Sequence, residues 1–223
     1  MPAYNEEQTI AAIVARVLAH PWVSELVIID DGSRDGTAET IASLAKQHGK
    51  IKAVYHTTNQ GKGAALRTGF AQAQGDFIVI QDADLEYDPA DYTQLLGPLI
   101  DGRADVVYGS RFLGGPHRVH LFWHAMANRL LTFVSNMLSN LNLTDMETCY
   151  KAFRREVLTR ITLRTNDFGF EPEFTIKVAR AGFRIYETPI SYSGRSYAEG
   201  KKIGWRDGVR ALYYLFRARF LDQ

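Results

Sequence analysis

One cysteine in 223 residues, Cys149, leaves no internal disulfide to form and fits a reducing compartment. No run approaches the roughly 18 consecutive apolar residues of a membrane-spanning helix. No basic-then-apolar leader opens the chain either, so the expectation is a cytoplasmic protein. Excess charge of one sign is also missing: 26 Lys and Arg stand against 25 Asp and Glu, which gives no global reason to expect nucleic acid. Internal repeats and low-complexity linkers are absent, and residues 1–223 are expected to form one unit. What is present is core material, since 46% hydrophobic residues suffice for a globular interior.

The first half alternates two periodicities. Ile10, Ile13, Val14, Val17 and Leu18 follow the stripe of an amphipathic helix, led by Glu6 and Glu7. "ELVIID" (25–30), "IKAVYH" (51–56), "DFIVIQD" (76–82) and "DVVYGSR" (105–111) are short apolar runs ending in polar turns, which predicts strands. Helical segments separate them. Such alternation implies an α/β fold, a mostly parallel sheet with helices on both faces. Ligands bind such sheets at the carboxyl ends of the strands, so "IIDDGS", "VIQDAD" and "VYGSR" should converge on one crevice. A doubly wound sheet opens with a strand, but "MPAYNEE" reads as loop then helix. The expectation is a sheet whose first strand is missing from the chain.

At the end of "QDADLEYDP" (81–89) and just beyond it, Asp88, Pro89 and Asp91 suit a helix start. Asp82 and Asp84 lie before that cap, just past a strand. Two such carboxylates either share a divalent cation through oxygen ligands, Mg²⁺ or Mn²⁺ bridging to phosphates, or form a solvated acidic turn. "GKGAALRTG" (61–69) follows a strand and opens a helix but lacks the third glycine of a dinucleotide fingerprint and the Ser or Thr of a Walker loop. Gly61 and Gly63 then permit close backbone approach and Lys62 meets a phosphate or base, or the stretch is an ordinary tight turn. His117, His120 and His124, beside Phe122 and Trp123, suit packing or an interfacial position better than metal ligation.

The second half is less regular. Trp123, Met126, Leu130, Phe133, Met137 and Leu141 recur every three or four residues, as on a helix with a wide apolar stripe. A helix is expected from about Glu171 to Ala181, then a strand in "FRIYETPIS" (183–191). The tail 201–221 mixes Lys and Arg with aromatic and aliphatic residues. It and the 123–141 stripe either cover the core or lie in a lipid interface.

"PAYNE" (2–6), "IIDDGSRDGT" (28–37), "NQGKGAALRTG" (59–69), "QDADLEYDP" (81–89) and "GSRF" (109–112) together resemble the family-2 glycosyltransferases of the GT-A fold. "YETPISYSGRSYAEGKKIG" (186–204) narrows the resemblance to dolichyl- and polyprenyl-phosphate hexosyltransferases, whose segment reads Asp-Arg-x-x-Gly-Glu-Ser-Lys. Arg195, Glu199 and Lys201 match it, whereas Gly194 and Gly200 replace the aspartate and the serine. The resemblance implies a nucleotide-sugar half, 1–112, and an acceptor half, 113–223. Pro2, Tyr4 and Glu6 would line the nucleotide pocket, with Asp30 and Asp31 near base and ribose. Gly61 and Lys62 would join them, and Asp82, Asp84 and Glu86 would hold the metal. Arg111, Arg118 and Arg195 would grip the acceptor phosphate through the guanidinium fork. The donor would be GDP-mannose or UDP-glucose and the acceptor a polyprenyl phosphate. The protein would then be peripheral at the cytosolic membrane face, with a membrane-anchoring partner subunit as one means of attachment. Two rivals stand beside this: a transferase for a soluble saccharide or protein, using Asp145 or Glu147 as base, and a non-catalytic nucleotide-sugar-binding subunit.

Overall fold

The computed structural model describes residues 1–114, 117–119, 121–194 and 205–222. The strands are β1 (Pro2–Ala3), β2 (Leu26–Asp30), β3 (Ile51–Tyr55), β4 (Phe77–Val79), β5 (Val106–Ser110), β6 (Lys151–Arg154) and β7 (Ile185–Pro189). The helices are α1 (Ile10–Ala19), α2 (Thr37–Gln47), α3 (Lys62–Gln72), α4 (Tyr92–Ile100), α5 (Phe122–Ser139), α6 (Val157–Arg160), α7 (Phe170–Arg180) and α8 (Trp205–Phe220).

β1, β2 and β3 form a parallel three-stranded sheet in that order, and β4, β6, β5 and β7 form a four-stranded one. Every residue of β2 and of β5 is buried, which is why both read as unbroken apolar runs rather than alternating ones. β6 lies antiparallel between β4 and β5, so the second sheet is mixed. Sequence periodicity does not announce β6, because "KAFR" is only four residues long and begins with a lysine. That Lys151 is fully buried, its ammonium donating to the Met146 and Thr148 carbonyls. The first strand is short rather than wholly missing. Pro2 and Ala3 pair with Ile29 and Asp30 of β2, and the Met1 amine donates to the Val27 carbonyl at 2.8 Å.

α5 is turned against its own hydrophobic pattern. Asn128, Leu131, Thr132 and Ser135 face inward, whereas Trp123, Leu130, Phe133 and Met137 are each more than half exposed. The inward polar groups hold the 143–146 turn: Asn136 bonds both backbone groups of Leu143, and the Thr132 hydroxyl accepts from Met146 N–H. α8 packs on α5 and α7 through Ala211, Leu215 and Ala218 and turns Val209, Tyr213, Phe216 and Phe220 outward. Among the described residues, no helix is long and apolar enough to cross a membrane.

Candidate active site

The loops after β1 and β2 are zipped together. Asn5 takes a left-handed backbone (φ 53°), and its side-chain oxygen accepts from Arg34 N–H at 2.9 Å. Glu6 N–H donates to the Thr37 hydroxyl, and the Glu6 carboxylate accepts from the Thr9 hydroxyl. Pro2 and Tyr4 flank this seam, Pro2 within β1 and Tyr4 half-buried. The adjacent aspartates at the end of β2 differ in task. Asp31 accepts from His56 Nδ1 at 2.6 Å, Gln60 N–H at 3.0 Å and Gly61 N–H at 2.8 Å, so it organises the 56–61 loop. Asp30 accepts from Ser33 N–H through Oδ2, while its buried Oδ1 has no protein partner. Such an oxygen is a ready acceptor for a ligand hydroxyl or N–H.

Gly61 does allow a close backbone approach, but to the chain itself. At φ +96° its Cβ would lie 2.4 Å from the Asn166 carbonyl oxygen, and one on Gly63 would lie 2.3 Å from that of Thr165. Lys62 likewise points inward. Its ammonium lies 3.1 Å from Asp82, 3.2 Å from Glu171 and 2.7 Å from the Cys149 sulfur. Burial opposes the Lys62 charge, yet these neighbours hold its pKa well above 10.5. Burial also works to raise Asp82, but Lys62 keeps it below the usual carboxylate range. The Cys149 thiol is pushed well up by burial and by Asp82.

Asp82, Asp84 and Glu86 are not gathered as a triad: among the described residues no three His, Cys, Asp or Glu side chains stand close enough to share an ion. Glu86 reaches away, accepting from the Tyr192 hydroxyl at 2.8 Å. Asp84, buried, accepts Glu86 N–H within the turn. Asp82 and Asp84 still fit a divalent cation. Both offer hard oxygen donors, Asp82 already binds positive charge, and the neighbouring Glu171 keeps a buried Oε2 without a protein partner. The base of the loop is rigid, because Gln81 accepts from the hydroxyls of Tyr92 and Tyr150 at 2.7 and 2.6 Å.

Across the crevice Arg111 is clamped. Its Nε donates to Asp145 Oδ2 at 2.6 Å and its Nη2 to Asp145 Oδ1 at 2.7 Å, with Asn128 also donating to Asp145. The guanidinium lies over the Tyr192 ring, 5.2 Å from its centroid. A continuous path therefore runs from Glu86 through Tyr192 and Arg111 to Asp145. Burial opposes the Arg111 charge, but Asp145 holds its pKa well above the usual guanidinium value. Glu147 beside them is pushed up to about 8 by burial and then by Glu171. Arg118 joins the same segment: its N–H donates to the Tyr192 carbonyl and its Nη1 to that of Gly194. Arg195, Glu199 and Lys201 lie outside the described residues.

Glu171 and Tyr192 thus belong to the site beyond what their sequence context suggested, while Glu147, a candidate base in the rival reading, lies beside them. Glu171 opens α7, where an acidic residue is ordinarily explained by the helix dipole; only its contact with Lys62 separates the two roles.

Residues 1–162 match the family described as glycosyl transferase family 2. The polyprenol monophosphomannose synthase of Mycolicibacterium smegmatis is 31% identical over 92% of this chain and 80% of its own. The undecaprenyl-phosphate mannosyltransferase of Micrococcus luteus is 29% identical over 92% of this chain and 86% of that protein. Among solved structures, M. tuberculosis glucosyl-3-phosphoglycerate synthase superposes with a TM-score of 0.75 at 23% identity, over 100% of this chain and 80% of that one. Its complex with Mn²⁺, uridine diphosphate and glucosyl-3-phosphoglycerate gives 0.74 at 22%, over 98% and 77%. At those identities the likeness speaks for the fold, the GT-A type of α/β sheet.

Proposed function

The chain belongs to glycosyl transferase family 2 and is a glycosyltransferase; from that premise we propose that it moves a hexose, mannose or glucose, from GDP-mannose or UDP-glucose to a polyprenyl phosphate, with inversion, at the cytosolic face of a membrane. The observation that carries this reading is the state of the 145–147 carboxylates. Transfer to a hydroxyl needs a base. Asp145 is bonded on both oxygens to Arg111 and Asn128, and Glu147 is buried, its pKa pushed up to about 8 by burial and then by Glu171. A phosphate monoester is already an anion and needs neither. One of its oxygens attacks the anomeric carbon, the bond from that carbon to the diphosphate breaks, and the electron pair leaves with the nucleotide.

Asp30, with its partnerless oxygen, suits a donor hydroxyl or base N–H, and the zipped loop of Tyr4 and Glu6 forms a wall beside it. Asp82 and Asp84 would hold Mg²⁺ or Mn²⁺, which supplies positive charge to the departing diphosphate. Arg118 bonds the Tyr192 and Gly194 carbonyls and would meet the acceptor phosphate, a role that the family resemblance also gives to Arg195. Arg111, engaged by Asp145, would serve there as a fixed positive field. The outward apolar face of α5, with α8 beside it, suits a bilayer surface where a polyprenyl chain resides.

The names of the Micrococcus and Mycolicibacterium relatives support the acceptor class. The test offers each nucleotide sugar with a short polyprenyl phosphate, with the matching polyprenol, and with 3-phosphoglycerate. Only the lipid phosphate should be glycosylated. Equal transfer to the alcohol would establish the rival base-dependent chemistry, and transfer to 3-phosphoglycerate alone a soluble acceptor.

A further inference from the structure

Residues 190–194 follow β7 and end one position before Arg195, to which the family resemblance gives a grip on the acceptor phosphate. Two acidic residues hold this stretch. Asp91, just before α4, accepts from the Ser191 N–H at 2.8 Å and from the Ser191 hydroxyl at 2.6 Å. Glu86 takes the next two residues: its carboxylate accepts from the Tyr192 hydroxyl at 2.8 Å, and its backbone carbonyl from the Ser193 N–H at 2.9 Å. The Glu86 N–H in turn donates to Asp84 Oδ1 at 3.2 Å. One residue therefore joins the acidic turn to the stretch that precedes Arg195.

Tyr192 is fitted to that bond. Its buried ring lies 5.2 Å from the Tyr87 ring centroid and 5.2 Å from the Arg111 guanidinium, and its carbonyl accepts the Arg118 N–H at 2.8 Å. Gly194 makes room for the ring. A Cβ there would stand 2.7 Å from Tyr192 Cε1. The Gly194 backbone is not left-handed, so the ring, not the backbone, excludes a side chain. The resembling segment carries aspartate at this position; here the tyrosine ring stands where that side chain would begin.

We propose that Glu86 is a positioning residue for the acceptor side rather than a ligand of the cation: through Tyr192 it sets where the stretch leading to Arg195 lies relative to Asp84. The inference rests on the reading in which Asp84 serves the donor diphosphate and Arg195 the acceptor phosphate. Attack of a phosphate oxygen on the anomeric carbon needs donor and acceptor held at a fixed separation. The Glu86–Tyr192 bond is a direct link between the segments that would hold them, and it leaves Asp82 and Asp84 to the cation.

The test measures Mn²⁺ affinity, amide exchange and both Michaelis constants in Tyr192→Phe, Glu86→Ala, their double variant and Glu86→Gln. Tyr192→Phe and Glu86→Ala should each speed exchange at Ser193 at least ~10-fold, leaving Ser191, held by Asp91, unchanged. KM for a short polyprenyl phosphate should rise about 10-fold, while KM for the nucleotide sugar and Kd for Mn²⁺ stay within about 2-fold. The double variant should be no worse than Glu86→Ala, since both changes remove one bond. Glu86→Gln, whose amide oxygen still accepts the Tyr192 hydroxyl, should behave as the parent. Gly194→Ala should speed Ser193 exchange as Tyr192→Phe does. Unchanged Ser193 exchange in Tyr192→Phe, additive effects in the double variant, or equal quickening at Ser191 would overturn the proposal. A loss of Mn²⁺ affinity of about 10-fold in Glu86→Ala would make Glu86 a cation ligand and overturn it likewise. Exchange and Mn²⁺ binding need neither donor nor acceptor, so failure to use polyprenyl phosphate would sink the proposed reaction and not these two results.

Discussion

Asp145→Asn separates two accounts of the same residue. Asp145 is fully buried and receives two charge-assisted bonds from Arg111, at 2.6 and 2.7 Å, besides the Arg111 backbone N–H at 3.1 Å. Removing its charge leaves a guanidinium inside the protein without its counter-ion. Breaking one side of a buried pair costs about 3–5 kcal/mol. The amide keeps one acceptor oxygen, which places the expected loss near the lower end, about 3 kcal/mol. For a chain of this size that lowers Tm by roughly 6–12 °C. Transfer should fall in step with the loosened Arg111, and Arg111→Met combined with Asp145→Leu should recover most of the stability without recovering transfer. Calorimetry and a radiolabelled-donor assay measure both effects. If Asp145→Asn leaves Tm unchanged while abolishing turnover, Asp145 is a base rather than an anchor, and the phosphate-acceptor mechanism is wrong.

Asp84→Asn should lower turnover by orders of magnitude with an unchanged circular dichroism spectrum, and chelator should do the same to the parent; full activity in excess chelator would remove the metal from the reaction. Trp123→Ser with Phe133→Ser should weaken flotation with anionic vesicles about 30-fold or more, on the basis of about 1 kcal/mol or more of apolar burial per side chain, and no binding by the parent would leave attachment to a partner subunit. Glu147 binds its proton more tightly folded (about 8) than unfolded (4.5), so it takes stability away as pH rises from 4.5 to 8; Glu147→Gln should flatten that slope, gaining on the order of a few kcal/mol over the parent at pH 8 and little at pH 5, as read by urea unfolding.

Much of this site is visible in the chain because its chemistry depends on neighbours in sequence. Asp30 with Asp31, and Asp82 with Asp84, lie at strand ends where α/β geometry gathers ligands. Partners far apart in sequence are not visible in that way. Lys62 reads as a phosphate-seeking loop cation until Asp82, Cys149 and Glu171 enclose it. The apolar period of α5 announces a helix but not its orientation, because that is decided by the 143–146 turn its polar side chains hold. β6 escaped notice for a similar reason: four residues carry no period, and the strand exists because β4 and β5 leave a place between them.

The crowding of Gly61 and Gly63 against Thr165–Asp167 reaches further than the loop it shapes. The Asp167 carboxylate accepts from the Tyr214 hydroxyl of α8 at 3.0 Å, and Arg67 of α3 grips the Thr165 carbonyl and the Asn166 side chain. One three-residue segment is therefore the common bearing for the glycine loop and for the helix that turns its aromatic residues outward. A substitution at Asn166 has two addresses, and its effects on the glycine loop and on α8 should appear together. Selection acting at either end would have to accept whatever it does at the other.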